Sequence, residues 1–280
     1  MTYDVRELID LDRYPIGSHG TDRDAVIAKV RADLARDGCA VVKGFLTPKG
    51  VDALVKEADG VADRGHRSFS RTNAYFSQDD PSQPADHPVR QFFDRSNAFI
   101  PADNFGTSGA LRTIHDFAGF DPFIRDCLQE DSFYRYADPL ADVIVNMAEE
   151  GAGFPWHFDT NNFTVTLAIQ NARQGGEFQY AAAIREEGEN FDAVRSVLDG
   201  TSDRITTLTL EPGDLQLFRG RYSLHRVAPL TGPIRRYVAI FSYVEEPNMV
   251  GSPERTEQLY GRTLPIHHER AGQRADQFLD

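Results

Sequence analysis

Apolar residues recur at helical spacing through Val26, Ile27, Val30, Leu34 and Ala35, so a helix is expected from Thr21 or Asp22, ended by Gly38. Cys39-Ala40-Val41-Val42 follows as a short apolar run and reads as a buried strand. Thr47-Pro48 then opens a second helix carrying Val51, Leu54, Val55 and Ala58. This helix–strand–helix opening suits a helical layer packed on one side of a β-sandwich. Residues 1–20, with Pro15, Gly17 and Gly20, read as an irregular arm. Residues 64–106 are richer in polar residues and proline, with a strand expected over Phe69–Phe76 and a loop over Gln78–His87. Residues 107–129 return to helical spacing through Leu111, Ile114, Phe117, Phe123, Ile124 and Cys127, with His115 expected as a hydrogen-bonded structural residue.

The second half changes period. Asp142-Val143-Ile144-Val145-Asn146-Met147 alternates, placing Asp142, Ile144 and Asn146 on one face. Thr164-Val165-Thr166-Leu167-Ala168-Ile169 alternates as well, and Gly175-Gly176-Glu177-Phe178 allows a tight turn into another strand. Pro212-Gly213-Asp214 turns into Leu215-Gln216-Leu217-Phe218, and Arg235-Arg236 opens the run Tyr237–Phe241. Residues 185–203 read as an excursion from the β-core with a helix at Phe191–Leu198, closed by Gly200. A short helix is expected over Pro253–Tyr260, and residues 265–280 as a polar tail. The pattern divides a single domain, 1–280, into helical support and loops (1–130), a β-core (131–248) and a C-terminal helix with its tail (249–280).

The chain has 280 residues, a net charge of −13 and a pI near 5.0. No basic excess exists to neutralise phosphates, which argues against a nucleic-acid partner. Cys39 and Cys127 stand apart, without CxxC or zinc spacing, which fits a reducing compartment. No signal-peptide pattern opens the chain and no apolar run is long enough for a bilayer, so a cytoplasmic protein with no membrane partner is expected.

The chemistry centres on Trp156-His157-Phe158-Asp159. Two positions apart on an extended chain, His157 and Asp159 point to the same side. His225, in Leu224-His225-Arg226-Val227, is the candidate third member. Two histidines and a carboxylate on one face are the facial triad of non-haem Fe(II) oxygenases. A simple hydrogen-bonded His157–Asp159 pair is the competing reading. His267-His268-Glu269 repeats the spacing, but no later histidine completes it, and it is assigned to the polar tail.

The order His-x-Asp, Gly-Gly-x-Phe, Pro-Gly-Asp, distal His and Arg-Tyr on a last strand resembles the Fe(II)/2-oxoglutarate-dependent oxygenases. Ala137–Asp142, Trp156–Asp159, Gly213–Phe218 and Gln258–Arg262 are similar to the bacterial group containing the free amino-acid radical halogenases and their hydroxylase relatives. The resemblance spans about residues 130–262 and implies an α+β fold, a double-stranded β-helix (jelly-roll, cupin-like) with the N-terminal helices on one face. It implies Fe(II) on His157, Asp159 and His225, with 2-oxoglutarate and O2 as co-substrates. Arg235 and Arg236 point to opposite faces of their strand, and Arg236 is favoured as the anchor for the distal carboxylate of 2-oxoglutarate because Arg-Tyr followed by apolar residues matches the family pattern better. Asn146 and Thr166 are further candidates for that co-substrate, although a backbone-satisfied Asn and a Thr of mere β-propensity explain them equally. Arg95, Thr160, Asn161, Asn162 and Asp142 are candidate substrate contacts; for Arg95 a surface ion pair is the bland alternative. The implied reaction is hydroxylation of a small polar molecule, such as a free amino acid or derivative. Halogenating relatives replace the metal-binding carboxylate by a small residue, and Asp159 is present here. The alternatives are a halogenase or desaturase of the same family, and a non-catalytic cupin-like protein holding a metal or ligand.

Overall fold

The computed structural model describes residues 3–270. The first long helix runs Thr21–Asp37 and stops where Gly38 turns left-handed (φ 65°), its N–H reaching the Leu34 carbonyl. The next, Pro48–Val61, starts from Thr47, whose hydroxyl accepts the Gly50 N–H at 3.0 Å. Between them Cys39–Val42 forms the edge of a seven-stranded antiparallel sheet. From that edge the sheet continues through Leu215–Phe218, Thr164–Gln170, Arg236–Phe241, Val143–Ala148, Phe93–Ile100 and His66–Thr72. A second sheet orders Thr206–Leu208, Phe178–Ala181, Leu224–Val227 and Phe154–His157.

Alternation decides what each face does. Val143, Val145, Val165, Leu167, Leu215, Leu217, Tyr237, Ala239 and Phe241 pack in one core with Ile27, Val30, Leu34, Leu54, Phe120, Phe123 and Ile124 of the helices. The intervening residues Ile144, Asn146, Thr164, Thr166, Gln216, Phe218, Arg236, Val238 and Ile240 line a cavity on the opposite side of the same strands. The helical layer packs against one face of the large sheet. Phe120 and Phe241, each fully buried, sit with ring centroids 4.8 Å apart, and burying a side chain of this size stabilises by about 1.5–3 kcal/mol.

The 185–203 excursion places helix Phe191–Leu198 with Val194 and Val197 against Tyr75, Trp156, Phe158 and Leu224. It therefore backs the His-x-Asp segment. Helix Pro253–Tyr260 lies across His66–Thr72 and Phe93–Ile100 and reaches the cavity through Arg255 and Leu259. No helix among the described residues is long and apolar enough to cross a membrane.

Local expectations are corrected at several points. The strand expected over Phe69–Phe76 runs His66–Thr72, because Asn73 breaks it: its side-chain carbonyl accepts from the Tyr75 and Ser77 amides. His115 is fully buried, but neither ring nitrogen has a hydrogen-bond partner. Part of the expected polar tail is ordered: Pro265–Glu269 is a short helix, and His267 is buried with Nε2 3.0 Å from Asp138 Oδ1. Residues 271–280 of that tail lie outside the described residues.

Candidate active site

Strand pairing brings the histidines together. His157 and His225 are register partners on adjacent antiparallel strands, with ring centroids 4.1 Å apart. Asp159 lies just past its strand, where its N–H donates to the Gly220 carbonyl at 3.1 Å. From there Oδ1 stands 3.6 Å from His157 Nε2 and 3.4 Å from His225 Nε2. One ligand atom from each of the three residues lies within 4.8 Å of the others.

The outer contacts fix the tautomers. His157 Nδ1 is 2.8 Å from the Pro155 carbonyl and His225 Nδ1 is 2.9 Å from the Ser223 carbonyl. A carbonyl can only accept, so in each ring Nδ1 carries the proton and Nε2 turns its lone pair inward. Burial, reinforced by His225, pushes His157 down to about 3, so its ring is neutral. Burial alone would raise the Asp159 carboxyl; protonated His225 or His157 rings would hold it well below the usual carboxylate range, and with both rings in the ligating tautomer a bound cation has to take that part. Two inward lone pairs facing one carboxylate oxygen repel unless a cation sits between them. Nitrogen, nitrogen and oxygen on one side suit Fe(II) and leave the other side open.

Asp159 is also fixed from behind. The Thr164 hydroxyl donates to Oδ2, and the same oxygen would lie 1.9 Å from a Cβ added at Gly220. Glycine at 220 is what gives the carboxylate its room. Thr164 and Thr166 share the cavity-facing side of one strand, and Thr166 donates to Gln216 Oε1 at 2.9 Å.

Arg236 opens its strand on the cavity side and is 6% exposed. Burial pushes its guanidinium down to about 10, with no acidic neighbour acting against the shift. A buried cation of this kind suits a ligand carboxylate. Arg235 faces away, donating Nε to Glu149 at 2.9 Å, with a side chain 43% exposed. Asn146 lines the same cavity, and its amide donates to the Ala98 carbonyl at 3.4 Å.

Of the other residues singled out in the sequence, Arg95, Thr160 and Asn161 line the cavity and Asn162 does not. Arg95 is buried beneath Phe76 and Phe154 and makes no surface ion pair. Asp142 is a correction. The strand begins at Val143, and the Asp142 carboxylate is held by Arg112 at 2.5 and 2.9 Å, away from the cavity lining. Sequence reasoning did not single out Thr164, Gln216, Phe76 or Arg255. Thr164 was legible from its parity with Thr166, and Gln216 from its place between Leu215 and Leu217. Nothing local marked Phe76 or Arg255.

A double-stranded β-helix with two histidines and one carboxylate converging inside it defines the class: the non-haem iron oxygenases that use 2-oxoglutarate. Within that class, the sequence profile described as Halogenase D matches residues 22–260, and the chain belongs to that family. Solved structures agree on the fold. The epimerase SnoN, in complex with Fe3+, alpha ketoglutarate and nogalamycin RO, is 13% identical and superposes with a TM-score of 0.54, covering 79% of this chain and 84% of its own. AviO1 from Streptomyces viridochromogenes Tue57 is 15% identical with a TM-score of 0.52, covering 82% and 98%. A 2OG-Fe(II) oxygenase family oxidoreductase from Burkholderia pseudomallei is 12% identical with a TM-score of 0.50, covering 82% and 93%. At such identities the likeness is one of fold. No curated protein matches the sequence significantly.

Proposed function

We propose that the protein hydroxylates an unactivated C–H bond of a small polar molecule, with Fe(II) on His157, Asp159 and His225 and 2-oxoglutarate anchored by Arg236. The observation that carries this reading is the fixed Asp159 carboxylate, held by the Thr164 hydroxyl on one oxygen and facing both histidines with the other. Iron with 2-oxoglutarate and O2 supplies the oxidant that removes hydrogen from carbon. The chain's own residues do the rest. Pro155 and Ser223 carbonyls keep the His157 and His225 rings in the ligating tautomer. Arg236, buried in the cavity wall, would hold the distal carboxylate, with Asn146 and Thr166 as polar groups in the same lining. Phe99, Phe154, Phe178 and Phe218 give the reacting space an apolar lining. Arg95 faces the substrate from the Phe76–Phe154 side, with Thr160 and Asn161 in the same lining, and positioning the C–H bond is their task. A free amino acid or derivative is the substrate class we favour, on the motif resemblance to the free amino-acid radical halogenases and their hydroxylase relatives.

The family description favours one competing outcome, halogenation. That chemistry needs a halide where Asp159 stands. A tethered carboxylate, hydrogen-bonded from behind, opposes the exchange sterically and electrostatically. The reading as a whole is tested by anaerobic addition of Fe(II) and 2-oxoglutarate, which should produce the weak visible absorption of a 2-oxo acid chelate. Absence of that band, together with no succinate over a broad substrate panel, would sink it.

A further inference from the structure

We propose that Arg185 and Arg221 are positioning residues for the metal site: acting through the turn before His225, they hold Asp159 against displacement. The proposal rests on the iron-site reading above and deepens it.

Asp159 lies beyond the strand ladder. Its strand ends at His157, whose partner across the ladder is His225. Past that point the backbone is tied to the turn 219–223, which joins Leu215–Phe218 to Leu224–Val227. The Gly220 carbonyl accepts the Asp159 N–H at 3.1 Å, and Arg221 donates Nη1 to the Thr160 carbonyl at 2.8 Å. The Ser223 carbonyl accepts from His225 Nδ1 at 2.9 Å. One turn therefore sets the backbone of the carboxylate ligand and the ring of the distal histidine.

The segment entering the 185–203 excursion grips that turn from behind. Arg185 donates Nε to the Arg221 carbonyl at 2.6 Å and its backbone N–H to the Tyr222 carbonyl at 3.2 Å. The Ala183 N–H donates to the Ser223 hydroxyl at 3.0 Å. The Arg185 guanidinium also lies against Phe158, the residue between His157 and Asp159, with Cζ 4.0 Å from the ring centroid. Its Nη1 stands 3.3 Å from Glu189 Oε2. Arg185 thus joins both segments that carry ligands: it stacks on one and hydrogen-bonds the other.

Both arginines are fully buried. Buried cations are often less stabilising than apolar side chains of similar volume, so stability alone does not call for them here. A guanidinium offers what an apolar residue lacks, several donors in fixed directions. These donors go to backbone carbonyls beside the metal ligands. With its backbone held by Gly220 and its Oδ2 held by Thr164, Asp159 resists exchange for a halide. A loosened turn would let the carboxylate swing and admit chloride.

The test compares Arg221→Met, which deletes the donor to Thr160, with Arg221→Lys, which keeps one. Arg185→Lys keeps the charge but not the fork, and Leu54→Ala opens a cavity in the helix-packed core. Affinity for Co(II), a probe of similar ligand preference to Fe(II), is read by competition with a chromophoric chelator and set beside the urea midpoint of the metal-free protein. Arg221→Met and Arg185→Lys should bind Co(II) about tenfold or more weakly than the wild type, as loss of an outer contact does. Arg221→Lys should stay close to wild type, and Leu54→Ala should lose midpoint but not affinity. Chloride added to the anaerobic Fe(II)/2-oxoglutarate complex should shift the chelate band in Arg221→Met and not in the wild type. Wild-type Co(II) affinity in Arg221→Met and Arg185→Lys, or a chloride-indifferent band in Arg221→Met, would overturn the proposal. So would an equal loss of affinity in Leu54→Ala, since it would reduce both arginines to scaffold. If Arg221→Met does not fold, Arg185→Lys decides on the same two readings. A wild type that binds Co(II) but never forms the chelate would count against the hydroxylase reading instead, and the affinity comparison would still stand.

Discussion

At the scale of single residues, the site depends on which side of a strand a side chain takes. Arg235 and Arg236 are adjacent and chemically identical, but one sits on Glu149 at the surface and the other is buried facing the cavity. Arg236→Ala is expected to weaken 2-oxoglutarate binding by about 3–5 kcal/mol, because it leaves a buried anion unpaired. Arg235→Ala, which removes an exposed ion pair, should be nearly silent. Titrating the chelate band in both variants checks this, and equal affinities would reassign the anchor. Thr164→Val keeps the shape but removes the hydroxyl on Asp159 Oδ2. Loss of such an outer contact should weaken metal binding by about 10- to 100-fold, and Thr164→Ser should restore it. Competition with a chromophoric chelator reads the difference; an unchanged affinity would deny Thr164 its role.

At the scale of elements, the period of two was the most legible feature of the chain. Leu167, Leu215 and Phe241 went to the helices and Thr166, Gln216 and Ile240 to the cavity because a strand can do nothing else. The same rule misplaced Asp142. It is in phase with Ile144 and Asn146, but the strand starts one residue later and Arg112 draws the carboxylate away. Arg255 was not legible for the opposite reason: its helix has ordinary spacing, and its partner ring belongs to a turn far away in sequence. Phe76 needed knowledge of the Asn73 turn, a backbone conformation that a strand-prone run conceals. The two faces of one strand can be told apart by experiment. Phe241→Ala, in the helix-packed core, should cost about 3–5 kcal/mol of global stability in urea unfolding. Ile240→Ala, on the cavity wall, should cost less and act mainly on substrate KM. A reversed order would contradict the assignment of faces.

At the scale of the whole molecule, acid stability reports on the helical layer. His115 is buried beside Phe241, with ring centroids 5.4 Å apart and both nitrogens unsatisfied. Burial, aided by Arg135, pushes it down to about 3. A histidine depressed in the folded state binds its proton first in the unfolded chain, so stability is full above about pH 6.5 and falls as pH drops toward 3. By pH 5 the loss from this one group is on the order of 2 kcal/mol. His115→Leu should flatten that part of the stability–pH curve, which denaturant titrations at pH 5 and 7.5 would show; an unaltered slope would place the acid sensitivity elsewhere. The N-terminal helices and the β-core share one hydrophobic core behind the site, and the sheet they cover carries Arg236, Thr164 and Thr166.

The account turns on Asp159 staying in place in a member of the Halogenase D family. The direct measurement is the mass of the product after turnover in high chloride, in bromide and in halide-free buffer. Addition of one oxygen in all three is the expected result. A chlorinated or brominated main product from the unmutated protein would contradict the account.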